Sequence, residues 1–499
     1  MDTNKLRQKI LDMAIRGKLV PQDPNDEPAS VLLERIRNEK QRMVQDGKLK
    51  KRDIKNDTII FRGDDNLHYE KFQDGSVKCI EDEIPFEVPE GWAWCRLKHV
   101  CTMAAGKAKP TDQIMTEPFE GCYPCFGGNG IRGYVDEYNQ DGIFSIVGRQ
   151  GALCGNINIA KGKFYATEHA VVTTLFSGID FNWSNYVLEA LQLNSYATGA
   201  AQPGLSVANV LNVFVPVPPT QEQVHIGIRI AEFIKIIENI EDEKENLQTL
   251  ISSAKSKILD LAIRGKLVPQ NPNDEPASVL LERIRAEKEE LIKAGKIKRD
   301  KKESIIFRGE DNSYYEKIGS TIKNIDDSIP FEIPENWCFI RLKELWKLIS
   351  GRDLSPSEYN DNQDGIPYIT GASNFRNGKI ELVRWTSSPQ VITKQGDLLL
   401  TCKGTVGELA FNDFGNAHIA RQIMAIRNTY GLNVEYLSFC ISFYIKEIKA
   451  VAKGLIPGIS REDILNLILP IPPENYQRLV VSQIRRSNHA LYLIEKSLI

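Results

Sequence analysis

The chain has 499 residues, 42% of them hydrophobic and 26% charged, and a formal net charge of −3. This length exceeds what one hydrophobic core usually serves, so we expect about three or four compact units. The balanced composition excludes disordered and fibrous proteins, and no run of about eighteen apolar residues indicates a membrane span. Charges interrupt the apolar residues up to Arg16, which argues against a secretory signal and predicts a cytoplasmic protein.

The first predicted element is a helical segment that occurs twice. Residues 9–37 read KILDMAIRGKLVPQDPNDEPASVLLERIR, and residues 257–285 repeat them with two differences. The match resumes where residues 59–71 (IIFRGDDNLHYEK) recur as residues 305–317 (IIFRGEDNSYYEK). Self-similarity over this distance predicts an internal duplication of one structural unit.

Two dissimilar inserts follow the repeated segments. Residues 84–92 (IPFEVPEGW) recur as 329–337 (IPFEIPENW), and similarity then nearly stops until residues 203–219 (PGLSVANVLNVFVPVPP) match residues 457–473 (PGISREDILNLILPIPP). A near-identical frame around two different inserts indicates one mechanical task performed with two independent readers.

A long helix is predicted after the first insert. Apolar residues recur there at four-three spacing, broken by Lys244, which is typical of a coiled-coil seam. Pro218 and Pro219 precede the helix and Gly265 ends it, so it should run from about Thr220 to Arg264 and span roughly 65 Å. The seam residues are Ile226, Ile230, Phe233, Ile237, Ile240, Leu247, Ile251, Ala254, Ile258 and Leu261.

The two ends of the chain carry the same seam. We interpret them as the two halves of one repeat, which predicts a circularly permuted pair of units whose termini lie close together. The alternative is that these heptads are only buried stripes of a core. The terminal seam residues are Val480, Ile484, Leu491, Ile494 and Leu498, continued by Leu6, Ile10 and Met13.

The order of these segments resembles the specificity subunits of type I restriction-modification systems along essentially the whole chain. The resemblance rests on AIRGKLVPQ, on P-x-x-W followed by Arg-Leu, and on P-x-P-P, each present twice in the same order. These motifs begin at Ala14 and Ala262, at Pro89 and Pro334 with Arg96-Leu97 and Arg341-Leu342, and at Pro216 and Pro470.

The resemblance implies an α/β fold with two mixed α/β target-recognition domains, related by pseudo-twofold symmetry and joined by long antiparallel coiled-coil helices. Each domain would read one half of a split, asymmetric site in double-stranded DNA, and the helices would set the gap between the halves. The expected regions are an N-terminal frame at 1–83, recognition domain 1 at 84–218, a central frame at 219–328, recognition domain 2 at 329–472 and a terminal helix at 473–499.

The resemblance also implies partners and an absence of catalysis. Two methyltransferase subunits and the restriction subunits would bind this chain, which would be non-catalytic and hold no cofactor. S-adenosylmethionine, ATP and Mg²⁺ would belong to the partners. Because a net charge of −3 offers little basic surface for DNA phosphates, we expect the chain to bind DNA well only beside a more basic partner.

Candidate DNA-contacting residues lie in Gly-containing loops of the inserts. Arg, Lys, Asn and Gln distinguish base edges, and glycines allow close approach of the backbone. The stretch from Tyr123 aligns with that from Pro367, and IVGRQGALCGNI from Ile146 with LTCKGTVGELAF from Leu400. Ordinary turn residues remain the alternative. The candidate readers are Asn129, Arg132, Arg149, Gln150, Ser373, Asn374, Arg376, Lys403, Thr405, Arg421 and Gln422, with Lys107 and Lys109 on phosphates.

A zinc site at Cys122 and Cys125 is a weaker hypothesis. Their spacing fits half of a structural site, but no second paired Cys or His motif follows, and the aligned residues are Ile366 and Ile369. We expect strand residues that face a core, and reduced thiols throughout, because nine scattered cysteines in so long a chain do not resemble a disulfide framework.

Two other classes of function compete with DNA recognition by a non-catalytic subunit. A methyltransferase or nuclease would be expected to carry an Asp/Asn-Pro-Pro-aromatic tetrad, a phosphate-binding loop or a legible catalytic constellation, and we find none in the sequence. A coiled-coil scaffold with two protein-binding domains predicts the same frame and equally divergent inserts. Only the composition of the insert loops favours DNA over this alternative.

Overall fold

The computed structural model describes residues 2–151, 153–198, 203–300, 302–376, 378–451 and 458–498. Met1, Pro457 and Ile499, which bound predicted domains or motifs, lie outside the described residues. The chain divides into two compact units, unit 1 at residues 1–244 and unit 2 at residues 245–499.

The expectation of three or four units was wrong because each insert shares a hydrophobic core with its own frame. In unit 1, Ile10 of the frame belongs to the same buried cluster as Val147 and Trp183 of the insert. In unit 2, Leu281 of the frame and Leu400 of the insert belong to one cluster as well. Frame and insert therefore form one compact body in each unit.

Unit 1 begins with helices, continues through strands interrupted by short helices, and ends in a long helix whose second half belongs to unit 2. Its elements are α1 (Thr3–Ile15), α2 (Ala29–Gln45), α3 (Lys51–Ile54), β1 (Ile59–Arg62), β2 (His68–Lys71), β3 (Val77–Cys79), β4 (Ala93–Arg96), β5 (Cys101–Ala105), β6 (Tyr123–Gly127), β7 (Gly130–Val135), β8 (Gln140–Gly148), β9 (Ile157–Ala166), β10 (Ala170–Leu175), α4 (Phe181–Ala190), α5 (Val207–Val210), β11 (Phe214–Val217) and α6 (Thr220–Ile263).

Unit 2 repeats the order of the frame elements around a different insert. Its elements are α7 (Ala277–Lys293), β12 (Ser304–Arg308), β13 (Tyr314–Ile318), β14 (Thr321–Asn324), β15 (Cys338–Arg341), α8 (Leu342–Leu345), β16 (Trp346–Ser350), β17 (Ile366–Ile369), β18 (Phe375–Arg376), β19 (Lys379–Ile380), β20 (Trp385–Thr386), β21 (Ile392–Thr393), β22 (Leu398–Thr401), β23 (Leu409–Phe411), β24 (Ala417–Ile419), β25 (Ile423–Asn428), α9 (Val434–Val451), α10 (Arg461–Leu465), β26 (Ile468–Ile471) and α11 (Glu474–Ser497).

The sheets confirm the predicted mixed α/β class. Each frame has a three-stranded antiparallel sheet, β1-β2-β3 in unit 1 and β12-β13-β14 in unit 2. The first insert forms a six-stranded sheet in the order β5-β10-β8-β9-β6-β7, whereas the second forms two four-stranded sheets, β16-β25-β22-β23 and β20-β17-β24-β21. Strands pair in parallel in both inserts, β6 with β9 and β17 with β24.

The repeated AIRGK segment forms the same helix terminus in both units. Helix α1 is followed by Gly17 at φ +65°, and the next N–H, of Lys18, donates to Met13 O at 2.8 Å. Helix α6 ends in the same way at Gly265, which has φ +68°. Glycine suits this left-handed position because it has no Cβ to clash with the backbone.

The long helix predicted over Thr220 to Arg264 is confirmed. Helix α6 begins at Thr220 as predicted and ends at Ile263, one residue earlier than predicted. Seam residues such as Ile226 and Ile251 are buried. Within unit 2, α11 runs antiparallel to the second half of α6: Tyr476, near its start, donates to Val268 O at 3.0 Å, and Glu495, near its end, lies 2.8 Å from Lys255 Nζ. Across the described ranges, every helix is too short or too polar to cross a membrane.

Candidate nucleic-acid interface

Each insert leaves its frame and returns to it on neighbouring strands. In unit 1, β4 pairs antiparallel with β11, so that Trp94 lies opposite Pro216. In unit 2, β15 pairs with β26, and Phe339 lies opposite Pro470. Proline has no N–H for a ladder and is tolerated where one side of a strand is unpaired, as in these two-stranded sheets. The two ends of each insert are thereby held together.

The tryptophans of the P-x-x-W motifs fix the frames. Trp92 Nε1 donates to Glu222 Oε2 at 2.8 Å, and burial raises the pKa of this carboxyl group, which is 2% exposed. Trp337 Nε1 donates instead to Gln270 Oε1 at 3.1 Å, and the ring of Tyr476 packs edge-on against it. The buried tryptophan of each motif therefore anchors an insert to its frame.

The arginines that follow these motifs are also committed to the frame. The Arg96 guanidinium donates to both Glu70 carboxylate oxygens, at 3.1 and 2.6 Å, and to Asn212 O at 2.8 Å. Arg341 donates to Glu316 at 2.8 Å twice. Bidentate pairs of this kind fix geometry as well as charge, so both arginines hold an insert on its frame.

Backbone hydrogen bonds gather several insert loops of unit 1 into one place. Lys107 N donates to Ala166 O at 3.0 Å, Arg149 N to His169 O at 3.0 Å, and Leu205 N to Arg149 O at 2.8 Å. The turn after β6 joins them: a Cβ at Gly128 would stand 3.4 Å from His169 O. We call this group of residues cluster 1: Lys107, Gly128, Arg149, Gln150 and His169.

Unit 2 contains the same arrangement of hydrogen bonds. Arg352 N donates to Ile419 O at 2.9 Å, Cys402 N to Gln422 O at 2.8 Å, and Ile459 N to Cys402 O at 2.8 Å. The turn after β17 joins them, because a Cβ at Gly371 would stand 2.2 Å from Gln422 Oε1. We call this group cluster 2: Arg352, Gly371, Cys402, Lys403 and Gln422.

Bridges and hydrogen bonds establish which residues of the two clusters are equivalent. Gln150 forms an isolated antiparallel bridge with Gly204, and Lys403 forms one with Gly458. Because Gly204 and Gly458 follow the repeated prolines of the duplication, Gln150 is equivalent to Lys403. The other pairs follow from the hydrogen bonds above: Lys107 with Arg352, Gly128 with Gly371, Arg149 with Cys402 and His169 with Gln422.

This equivalence corrects the alignment of the inserts, which was one residue out of register. The sequence paired Arg149 with Lys403 and Cys125 with Ile369, whereas the parallel strands place Cys125 opposite Tyr165 and the equivalent Tyr368 opposite His418. A shift of one residue exchanges the faces of a strand. Similar small and apolar residues at adjacent positions concealed the slip in two sequences with little identity.

Most predicted contact residues of the first insert are exposed, and two of these exposed residues have polar side-chain partners. Asn129 Oδ1 accepts a hydrogen bond from Asn156 Nδ2 at 3.0 Å, and Arg132, on β7, donates to Thr111 Oγ1 at 2.8 Å. Three of these residues belong to cluster 1, and Asn129 adjoins it through Gly128. The exposed residues are Lys107, Asn129, Arg132, Arg149 and Gln150.

Lys109 differs from the other predicted phosphate contact. Its side chain is only 10% exposed, and its ammonium lies 2.8 Å from Glu137 and 3.7 Å from Asp136. The hydrogen bond to Glu137 raises the pKa of this ammonium. Lys109 is therefore paired with carboxylates of its own insert, whereas Lys107 is exposed.

In the second insert, three of the exposed candidates belong to or adjoin cluster 2. Lys403 and Gln422 are members, and Arg421 Nε lies 2.7 Å from Asp353 Oδ2 beside it. Arg376 pairs with Glu381 at 3.0 Å in a separate hairpin, β18-β19. The exposed candidates are Ser373, Arg376, Lys403, Thr405, Arg421 and Gln422.

Asn374 is buried and maintains the loop that follows β17. Its Oδ1 accepts hydrogen bonds from the N–H and the hydroxyl of Thr370, both at 3.0 Å, and its Nδ2 donates to Glu381 O at 2.8 Å. With 1% of its surface exposed, its side chain supports the loop on which Ser373 is exposed.

Among the basic side chains of the clusters, the sequence reasoning missed His169 and Arg352. His169 precedes β10, and its Nε2 lies 3.3 Å from Glu168 Oε1, whereas Arg352 is exposed directly after Gly351. The sequence did contain a signal, because Gly-Lys at 106–107 and Gly-Arg at 351–352 are similar. A correct alignment of the flanking strands would have shown that these two dipeptides are equivalent.

The cysteines give no support to a zinc site. Cys125 is buried in β6, and Cys122 Sγ accepts a hydrogen bond from Phe119 N at 3.3 Å. No cluster of three or more His, Cys, Asp or Glu side chains suited to a metal occurs in the part of the chain that the structure describes.

Comparison with known proteins identifies the family. The profile described as the type I restriction modification DNA specificity domain matches residues 89–249 and 334–491, one match in each unit. The EcoEI specificity subunit of Escherichia coli is 27% identical over 96% of this chain and 88% of its own. The E. coli EcoAI subunit is 28% identical over 70% and 63%, and the EcoprrI subunit 40% identical over 34% and 42%.

The fold agrees with a solved relative. A chain from a study of complex assembly and conformational transition of the type I R-M system superposes with a TM-score of 0.54 at 17% identity, over 83% of this chain and 94% of that one. The two family matches together cover well over half of the residues. This chain therefore belongs to the type I restriction-modification DNA specificity family and is a non-catalytic specificity subunit with two target-recognition domains.

Proposed function

We propose that the chain reads a split, asymmetric site in double-stranded DNA, one half with each insert. The observation that supports this most is the pair of equivalent clusters, which share a hydrogen-bonded backbone but expose different polar side chains. Lys, Arg, Gln and His are the types that distinguish base edges in the major groove. Equivalent scaffolds with different side chains suit two readers of two different half-sites.

The partners follow from the duplicated frames. Each frame exposes apolar side chains at equivalent positions on the outer face of its three-stranded sheet. Phe61 and Phe307 are 40% and 39% exposed, and Val77 and Ile322 are 52% and 56% exposed. Two matching apolar faces suit two copies of one partner. We propose that two methyltransferase subunits bind the frames, and that restriction subunits join this complex.

The chemistry is assigned to those partners. This chain would hold no cofactor, and S-adenosylmethionine, ATP and Mg²⁺ would bind to the methyltransferase and restriction subunits. The whole complex would work in the cytoplasm. The length of α6 would set the number of unread base pairs between the half-sites. A chain with a net charge of −3 would depend on these partners for most of its electrostatic affinity for DNA.

Methylation mapping across the genome tests the proposal. Cells that carry the chain with its neighbouring methyltransferase are compared with cells that lack only this chain. We expect one split, asymmetric methylated motif to disappear with the chain. An unchanged methylome would instead favour a coiled-coil scaffold with two protein-binding domains.

A further inference from the structure

The equivalence of the two clusters separates positions that keep their chemistry from positions that change it. Lys107 and Arg352 are both exposed cations, although the residues around them differ, AAGKAKP against LISGRDLS. Gln150 is equivalent to Lys403, and His169 to Gln422, so these positions keep the backbone and change the side chain.

The retained cations stand on tightly fixed backbone. Gly106 precedes Lys107, and a Cβ there would stand 2.0 Å from Ala166 O; Gly351 precedes Arg352, and a Cβ there would stand 2.1 Å from Ala420 O. Such distances admit only glycine. The backbone that carries each cation is therefore fixed relative to its sheet in both units. A phosphate requires only positive charge at a fixed place and carries no sequence information.

The variable positions are placed by the bridges of Gln150 to Gly204 and of Lys403 to Gly458, but they differ in hydrogen-bonding capacity. Gln150 and Lys403 each precede a glycine, Gly151 at φ +94° and Gly404 at φ +76°. A glutamine can donate to and accept from adenine, whereas a lysine donates to the acceptors of guanine. His169 and Gln422 likewise differ in shape and in donors. Positions of this kind give different base preferences on the same scaffold.

We propose that Lys107 and Arg352 bind DNA phosphates, and that Gln150 with His169 and Lys403 with Gln422 determine the bases read in the two half-sites. Lys403 would select guanine, and Gln150 would select adenine. This assignment rests on the proposed function, because it divides the roles of residues within a DNA interface.

The test compares three single substitutions in the complete complex with its methyltransferase. Lys403→Gln gives the second insert the residue of the first, Arg352→Gln removes the phosphate contact, and Lys394→Gln removes a charge at the opposite end of β22 as a control. Each complex methylates a DNA library randomised across the second half-site, and binding is titrated against salt. The readouts are the methylated sequences and the slope of affinity against salt concentration.

We expect Lys403→Gln to shift the preference at one base pair of the second half-site by roughly 5- to 150-fold, from guanine towards adenine, with the first half-site unchanged. Lys403→Arg should retain guanine. Arg352→Gln should weaken binding to all sequences equally and lower the salt slope by about one. Lys394→Gln should resemble the unsubstituted complex.

The outcomes separate this assignment from the proposed function. If Lys403→Gln weakens methylation of every library member without changing the preferred base, or if Arg352→Gln changes a base preference, the assignment is overturned while sequence-specific methylation persists. If the unsubstituted complex shows no preferred sequence in the library, the proposed function itself fails.

Discussion

A lysine that is buried in unit 1 and partly buried in unit 2 anchors a helix to the rest of its frame, but its partners differ. In unit 1, Lys40 Nζ lies 2.6 Å from Asp57 Oδ2, and His99 accepts a hydrogen bond from a neighbouring backbone N–H. In unit 2, the equivalent Lys288 lies 3.0 Å from Glu303 and 3.2 Å from Glu344, which replaces His99. The same position is thus occupied by a ring in one unit and by a carboxylate in the other.

The difference shows where the duplicated frames have changed. His99 and Glu344 follow β4 and β15, the strands that lead into the inserts. Glu222 and Tyr476 follow β11 and β26, the strands on which the inserts return. The segments around Gly17 and Gly265 are nearly identical, and each unit keeps the arginine–glutamate pair that holds its insert on its frame. Some frame residues beside the junctions thus differ between the units, whereas those that fix the backbone are retained.

The largest expected effect comes from giving both frames the same reader. Residues 97–213 would replace residues 342–467, which leaves the strand pairs β4-β11 and β15-β26 intact. We expect the complex to methylate an inverted repeat of the first half-site and to lose the second, with each mismatched base pair costing about 1–3 kcal/mol. Methylome sequencing of cells that carry the chimera measures this directly.

Exchange of both inserts at once is the matched control. If the two frames are mechanically equivalent, the doubly exchanged chain reads the original site from its other end, and the methylated motif does not change. A new motif from the double exchange would mean that the frames themselves contribute to specificity.

A smaller effect is expected from the glycines that end the repeated helices. In Gly17→Ala, the new Cβ would stand 2.3 Å from the Pro89 ring, so a packing cost of about 1–3 kcal/mol adds to the left-handed backbone cost of about 1–2 kcal/mol. Gly47→Ala is the control, because Gly47 has φ +73° but nothing within 4 Å. Hydrogen exchange of the frame should show a larger loss of stability for Gly17→Ala.

The second unit provides an independent repeat of this comparison. Gly265 would meet Pro334 at 2.6 Å, whereas Gly295, at φ +67°, has nothing within 4 Å. The same ranking should hold for Gly265→Ala and Gly295→Ala. Equal losses within each pair would show that the proline rings move aside without cost.

The frame was predictable from the sequence and the insert register was not, for a physical reason. Heptads and caps specify a helix locally, so α6 was placed to within one residue of its end. Strand register depends on partners far along the chain: the position of Gln150 is fixed by Gly204, and that of Lys403 by Gly458. Arg352 was missed for this reason, since its role as the counterpart of Lys107 emerges only from that pairing.

The smallest expected effect is a difference in pH sensitivity between the frames. Burial, reinforced by Lys40 and Lys98, holds the pKa of His99 well below its usual 6.5. Because the folded state disfavours protonated His99, the fold is fully stable above about pH 6.5. It loses stability as the pH falls towards the pKa of His99 in the folded state. In unit 2, burial lowers the pKa of Lys288, but its hydrogen bonds to Glu303 and Glu344 outweigh burial and raise this pKa overall. The contribution of Lys288 to stability therefore persists throughout this acidic range.

Hydrogen exchange between pH 7.5 and 5.5 tests this difference within one molecule. The segment around His99 should lose protection on acidification relative to the segment around Glu344, which corrects for the intrinsic effect of pH on exchange. His99→Glu should abolish the difference, because it gives unit 1 the carboxylate of unit 2. His225→Gln, which removes an exposed histidine of the same unit, should leave it intact. Equal protection of both segments at pH 5.5 in the unsubstituted chain would show that His99 binds its proton without loosening the frame.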